Sequence, residues 1–163
     1  MRSFSNLWFW IALAVLWSSA SHWVLGVPFD MITRARRHGG QSQDEVEALA
    51  HIYAARILFI VRTAGLWLLG FAAFLLTSFG LLGFLYWVEF AQAIFLLALP
   101  MSILAAFSIQ TARRIEAAEA RGAALYRLLS RHRLKTQVVG VISIFVTAMW
   151  GMYQNMSIGV LGG

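Results

Sequence analysis

From residue 57 to residue 109 the sequence is apolar almost without interruption, and its one break falls at 83–89. A run of about 20 apolar residues, rising ~1.5 Å each, is what a helix needs to cross the ~30 Å hydrocarbon layer of a bilayer. The stretch therefore predicts two membrane-crossing helices, at 63–83 and 88–109, joined by a tight turn. Lipid suits most of the remaining chain as well. Of its 163 residues, 60% are hydrophobic and 12% are charged, whereas a soluble domain carries about 25% charge. Too few polar side chains remain to cover a water-facing surface.

A similar run on each side of this hairpin predicts a further crossing. The first, 7–27, ends at Pro28, and the last occupies 138–158. Arg2 and the small triplet Ser18-Ser19-Ala20 give the first run some likeness to a cleavable signal peptide. The apolar residues continue past Ala20 to Val27, however, and cleavage would leave both arginine-rich loops outside. We expect the run to be kept. The expected fold class is all-α: a single polytopic membrane domain over 1–163, with four transmembrane helices and helical cytoplasmic extensions in the loops 28–62 and 110–137.

Residues 29–42 read as a polar connection with Arg34, Arg36, Arg37 and His38. A helix start follows, with Asp44, Glu45 and Glu47 in its first turn, where the helix dipole favours negative charge. From Val46 an amphipathic pattern continues without Pro into the second crossing. Arg62 is expected at the interface, its stem snorkelling toward headgroups. Glu89 should open the third helix. Pro100 lies inside that helix, where it removes one hydrogen bond that neighbouring helices help to offset. Residues 111–137 are Ala-rich and helical in character, with Gly122 as the break and Leu125, Leu128 and Leu129 as a short apolar stripe.

The charges fix an orientation. Arg34, Arg36, Arg37 and Arg56 lie between the first two crossings. Arg113, Arg114, Arg121, Arg127, Arg131, Arg133 and Lys135 lie between the last two, against Glu116 and Glu119. The turn between the second and third crossings has Tyr86, Trp87 and Glu89 and no Lys or Arg. Lys and Arg are retained on the cytoplasmic side of a membrane. Both basic loops are thus expected in the cytoplasm, with both termini in the periplasm, in a bacterial inner membrane. The net charge of +6 would suggest nucleic acid in a soluble protein. Here it sits beside apolar runs, so the expected partners are anionic headgroups and other membrane proteins, not nucleic acid. The seven cations of the second basic loop exceed what orientation needs, so they are candidate contacts for anionic lipid or an acidic partner surface.

Few residues carry chemistry. There is no Cys, which excludes disulfides and thiolate metal sites. His22 is the single His inside an apolar run and is the candidate haem or pigment ligand. No other crossing offers a second His, and a His bonded near the inner end of its helix is the plainer reading. Ala14, Ser18 and His22 recur every four residues on the first crossing. Gly140, Ser143, Thr147 and Gly151 form a comparable stripe on the last. Small residues let helix backbones approach closely in lipid, so both stripes are candidate packing or partner faces. Glu47 and His51 share one helix face as metal ligands might, but zinc needs three or four ligands and a solvated face is expected. No Asp or Glu lies at mid-membrane depth, as a proton- or ion-coupled transporter would need. No nucleophile–base pair, glycine-rich phosphate loop or HExxH motif occurs.

Four segments, RSFSNLWFWIALAVLWSSASHWVLGVPF at 2–29, RARRHGG at 34–40, YWVEFAQAIFLLALPMS at 86–102 and TARRI at 111–115, resemble a small inner-membrane protein family of alphaproteobacteria. Some of its members are linked to the Suf iron–sulfur assembly complex. The resemblance implies a docking role and transfers no residue, and the lack of Cys argues against direct cluster handling. It also implies that a short segment could precede Met1. The expected function is a non-enzymatic accessory or assembly subunit of a larger inner-membrane complex, with no cofactor. The alternatives are a small, homodimeric transporter or channel, and a haem or pigment carrier using His22.

Overall fold

The computed structural model describes residues 7–161. Met1, Arg2 and the Gly162-Gly163 end lie outside the described residues. Apart from one minimal hairpin the chain is helical: α1 (Leu7–His22), β1 (Trp23–Val24), β2 (Val27–Pro28), α2 (Phe29–His38), α3 (Gln41–Phe84), α4 (Glu89–Ala118) and α5 (Gly122–Leu161). Three helices, α3, α4 and α5, are long and apolar enough to cross a membrane.

The first apolar run is not one helix. α1 stops after 16 residues at His22, and the chain then folds back through the hairpin. Leu25 and Gly26 sit at φ 53° and 82°, the positive values that a two-residue turn of the hairpin type requires. Val24 and Trp23 consequently pair with Val27 and Pro28. Gly26 lies so close to α3 that a Cβ there would be 2.7 Å from the Tyr53 ring. Continuous hydrophobicity concealed this turn because Val24, Leu25 and Val27 are all buried. Residues 29–38, which read as a polar connection, form α2. Asp30 lies in its first turn and Arg36, Arg37 and His38 in its last, which matches the helix dipole at both ends. Ile32 and Ala35 are its buried face.

α3 is one helix of 44 residues, about 66 Å long at ~1.5 Å per residue. That is twice the ~30 Å apolar layer, so half of it must lie beyond. It runs antiparallel to α4 in a single register. Stepping away from the 85–88 turn, Gly83 faces Gln92 and Gly80 faces Phe95. Farther down, Arg62 pairs with Glu116 at 2.7 Å, and His51 reaches the Ala120 carbonyl at 2.9 Å. α4 and α5 are antiparallel in the same manner. Trp150 and Gln154 meet Gln92 at one end, and His132 meets Thr111 near the other. α1 lies antiparallel to α5. Trp17 covers Gly140, where a Cβ would be 3.0 Å from the indole ring, and Leu25 and His132 line one cavity.

Two cores follow from this arrangement. The smaller joins Leu13 and Trp17 of α1 to Leu104 of α4, with Trp10, Leu97, Met101 and Val139 packed on it. α1 therefore occupies the groove between α4 and α5. The larger core lies at the basic end. Val24, Val27, Ile32, Ala35, Val46, Ala50, Ala54, Leu58, Ala112, Ile115, Leu125 and Leu129 pack there from the hairpin and from α2, α3, α4 and α5. The two charged segments are thus a folded helical foot. α4 contributes its last turns to that foot, and the extension beyond Gly122 belongs to α5.

Candidate functional site

The turn between α4 and α5 shows how the foot is built. α4 ends with Glu119 in the left-handed region at φ 43°, and Ala120 N–H returns to Ile115 O at 3.1 Å. One turn of α3 holds this corner. Glu47 accepts from Gly122 N–H at 2.8 Å and from Gln43 at 3.0 Å. His51 donates through Nε2 to Ala120 O. A carboxylate at the first N–H of α5 also meets the positive end of that helix. The Gln43 and Gly122 hydrogen bonds lower the Glu47 pKa from its ordinary value. The i, i+4 pair that looked like metal ligands is therefore a clamp on a backbone turn. Among the described residues no group of three or more His, Cys, Asp or Glu comes together.

The opposite end is fastened by Gln92, which is fully buried. Its Nε2 donates to Gly83 O at 2.7 Å. Its Oε1 accepts from Trp150 Nε1 at 3.0 Å and from Gln154 Nε2 at 2.9 Å. One side chain thereby ties α3, α4 and α5 together. Gly83 is what admits it: a Cβ there would lie 2.9 Å from the Gln92 backbone nitrogen. Phe84, Phe95 and Trp150 surround the junction with edge-on ring contacts.

The two small-residue stripes differ in direction. Gly140, Ser143, Thr147 and Gly151 are all buried and face the bundle. The Ser143 and Thr147 hydroxyls have no hydrogen-bond partner, and they line an apolar groove of about 210 Å³ beside Pro100. Ala14, Ser18 and His22 are exposed, because α1 packs instead through Leu13 and Trp17. His22 stacks edge-on against Trp23 at 5.8 Å. The other described histidines lie in the foot.

His132 was not singled out by sequence. It is buried at the end of α5 nearest the foot, in the wall of a cavity of about 250 Å³ that Tyr53, Ser108 and Thr136 also line. Thr111 donates its hydroxyl proton to Phe107 O at 2.9 Å. It therefore accepts from His132 Nδ1–H at 3.2 Å. Burial, assisted by the Lys135 charge, pushes the His132 pKa down to about 4. Its i+4 spacing to Thr136 and Gly140 continues the inward stripe, a signal legible in the sequence.

The basic residues of the second charged segment separate into groups. Arg113, Arg114, Arg121, Arg127 and Arg131 are exposed. Arg133 stacks its guanidinium 3.7 Å from the Phe29 ring centre. Lys135 lies 4.8 Å over Phe107 and donates to Gln110 at 3.2 Å. Arg133 and Lys135 thus serve packing of the foot, while the first five present their charge to the surroundings. Comparison with protein-family models, with curated proteins and with solved structures gives no match to this chain.

Proposed function

We propose that the chain is a non-enzymatic accessory or assembly subunit of a larger bacterial inner-membrane complex. In this reading α1 is a fourth crossing. Its 16 residues rise about 24 Å, and β1 extends them by ~3.3 Å per residue toward the ~30 Å needed. The basic foot lies in the cytoplasm and holds the bilayer through its exposed arginines. Both termini and the 85–88 turn lie in the periplasm.

One observation carries the assembly role. The apolar half of α3 is held along one edge by α4 and is otherwise bare. Leu66 is 86% exposed, Trp67 84% and Phe74 66%. α1 adds the outward stripe of Ala14, Ser18 and His22. Small residues on a free face favour close helix contact, whereas lipid tails need no such stripe. A partner helix seated beside α1, and another along α3, would use both faces. A partner in iron–sulfur assembly, as the family resemblance implies, is one candidate of this class. The test places a photo-crosslinking residue at Ala14, at Ser18 and at Leu66 of the chain expressed at its native level. The reading expects a discrete heterologous adduct from these positions and none from Leu97, which packs within the bundle. A monodisperse chain with no co-purifying protein and no adduct would refute it.

A further inference from the structure

At the foot, α2 and α5 flank an open cavity of about 390 Å³ lined by Arg36, Ala123, Tyr126, Arg127, Ser130 and Arg131. Arg127 and Arg131 are four apart on α5, with Ser130 between them, so all three share one helix face. Arg36 comes from the last turn of α2 and closes the other side. Three guanidinium groups gathered around one space repel one another unless a counter-charge lies among them. None of the three has a carboxylate within ion-pair distance among the described residues, where Arg62 with Glu116 is the pair formed. Glu47, whose charge acts on Tyr126, is engaged by Gly122 N–H and Gln43.

Tyr126 forms part of the cavity wall. It is 91% buried, at 9% exposure, and its hydroxyl has no hydrogen-bond partner. No water-sized space touches that hydroxyl, so the ring packs the cavity wall and its O–H does not face a ligand. Burial, with the Glu47 charge, also raises its pKa, so the group is an uncharged phenol at neutral pH. The cavity therefore offers three forked cations and the Ser130 hydroxyl, and no carboxylate.

We infer that this cavity binds a phosphate-bearing anion, with Arg36, Arg127 and Arg131 holding its oxygens and Ser130 donating to them. Guanidinium forks suit phosphate because two N–H groups meet two oxygens at once. The phosphate can belong to a lipid headgroup or to a soluble compound. From Val138, where the crossing is proposed to begin, Arg131 and Arg127 stand about 10 Å and 16 Å farther along the helix, a level that both sources reach. The site does not depend on the proposed subunit role.

The test uses the full chain in nanodiscs of phosphatidylcholine, with radiolabelled pyrophosphate in equilibrium dialysis at low salt. Saturable binding of one pyrophosphate per chain is expected. Arg127→Gln combined with Arg131→Gln should weaken it at least about tenfold, and Arg36→Gln, on the other wall, should also weaken it. Arg113→Gln combined with Arg114→Gln removes the same charge from α4 and should leave it nearly unchanged. Circular dichroism checks that each variant folds. A second arm adds a phosphatidylinositol phosphate to the disc. Displacement of pyrophosphate assigns the site to a headgroup, and undiminished binding assigns it to a soluble phosphate compound. Headgroup binding without pyrophosphate binding, lost in the same variants, also supports the site. Absence of saturable binding to either probe, or an equal loss in both double-arginine variants, overturns it.

Discussion

Replacing Gln92 with Leu probes the junction that sets the register of three helices. The side chain keeps nearly the same volume, so packing is little disturbed, but three interhelical hydrogen bonds disappear: those to Gly83 O, Trp150 Nε1 and Gln154 Nε2. Interhelical hydrogen bonds measured inside membrane proteins average about 0.6 kcal/mol and reach about 1.7. Three of average strength give about 2 kcal/mol. The Trp150 N–H also loses its partner in an apolar setting, which pushes the figure upward. Gln154→Leu removes one of the three and should cost about 0.6 kcal/mol. The comparison is made by unfolding the purified chain in mixed micelles with increasing dodecyl sulfate, followed by tryptophan fluorescence. The junction argument requires the Gln92 variant to lose roughly three times what the Gln154 variant loses. Equal losses, or a Gln92 loss below about 0.5 kcal/mol, would show that the ring cluster rather than the amide fastens this end.

Gly140→Val should detach α1, because even a Cβ meets the Trp17 ring at 3.0 Å; overpacking of this kind costs about 1–3 kcal/mol, read as faster proteolysis of the first crossing. Glu47→Gln should destabilise the α4–α5 corner by about 1 kcal/mol at neutral pH, as loss of a helix cap does. Because the folded-state pKa of Glu47 is lowered, its charge-dependent contribution is present above the unfolded value of 4.5 and fades as pH falls through the folded one; wild type and variant should converge in acid, and a gap that persists there would contradict this role. His132, buried neutral with a pKa of about 4, must acquire its proton on unfolding below the unfolded value of about 6.5. Stability should therefore fall as pH drops from about 6.5 to 4, with a slope approaching ~1.4 kcal/mol per pH unit, and a His132→Asn variant should lose that part of the slope in a pH series of melting curves.

The helical character, long apolar helices on both sides of the 85–88 turn and the Gly122 break were legible because each depends on a long local pattern or on one residue type. Glu89 at the start of α4 and Leu125 with Leu129 as a buried stripe were legible for the same reason. What sequence could not show was where long-range pairs meet. Glu47 and His51 read as a solvated face because their partners, Gly122 N–H and Ala120 O, are backbone groups some 70 residues on, and backbone groups leave no mark in a sequence. α2 was hidden by its arginines, which made ten helical residues look like a connection. The hairpin was hidden by hydrophobicity, since Leu25 at positive φ is a rare choice there. The foot was missed as a unit because its core draws a few residues from each of five elements. The arginine cavity was half legible: Arg127 and Arg131 were in view as cations of the second basic loop, but Arg36 joins them from α2, some 90 residues earlier in the chain.

The absence of Cys from the chain permits a clean measurement of the arrangement in the membrane. Single cysteines are introduced by Leu85→Cys in the turn, Asn155→Cys near the end of α5 and Ala117→Cys at the end of α4, all at exposed positions. A membrane-impermeant maleimide is then applied to spheroplasts before and after permeabilisation. With the arginine-rich foot inside and four crossings, Leu85→Cys and Asn155→Cys are labelled at once, and Ala117→Cys only after the membrane is opened. Immediate labelling of Ala117→Cys, with the other two protected, would contradict the account.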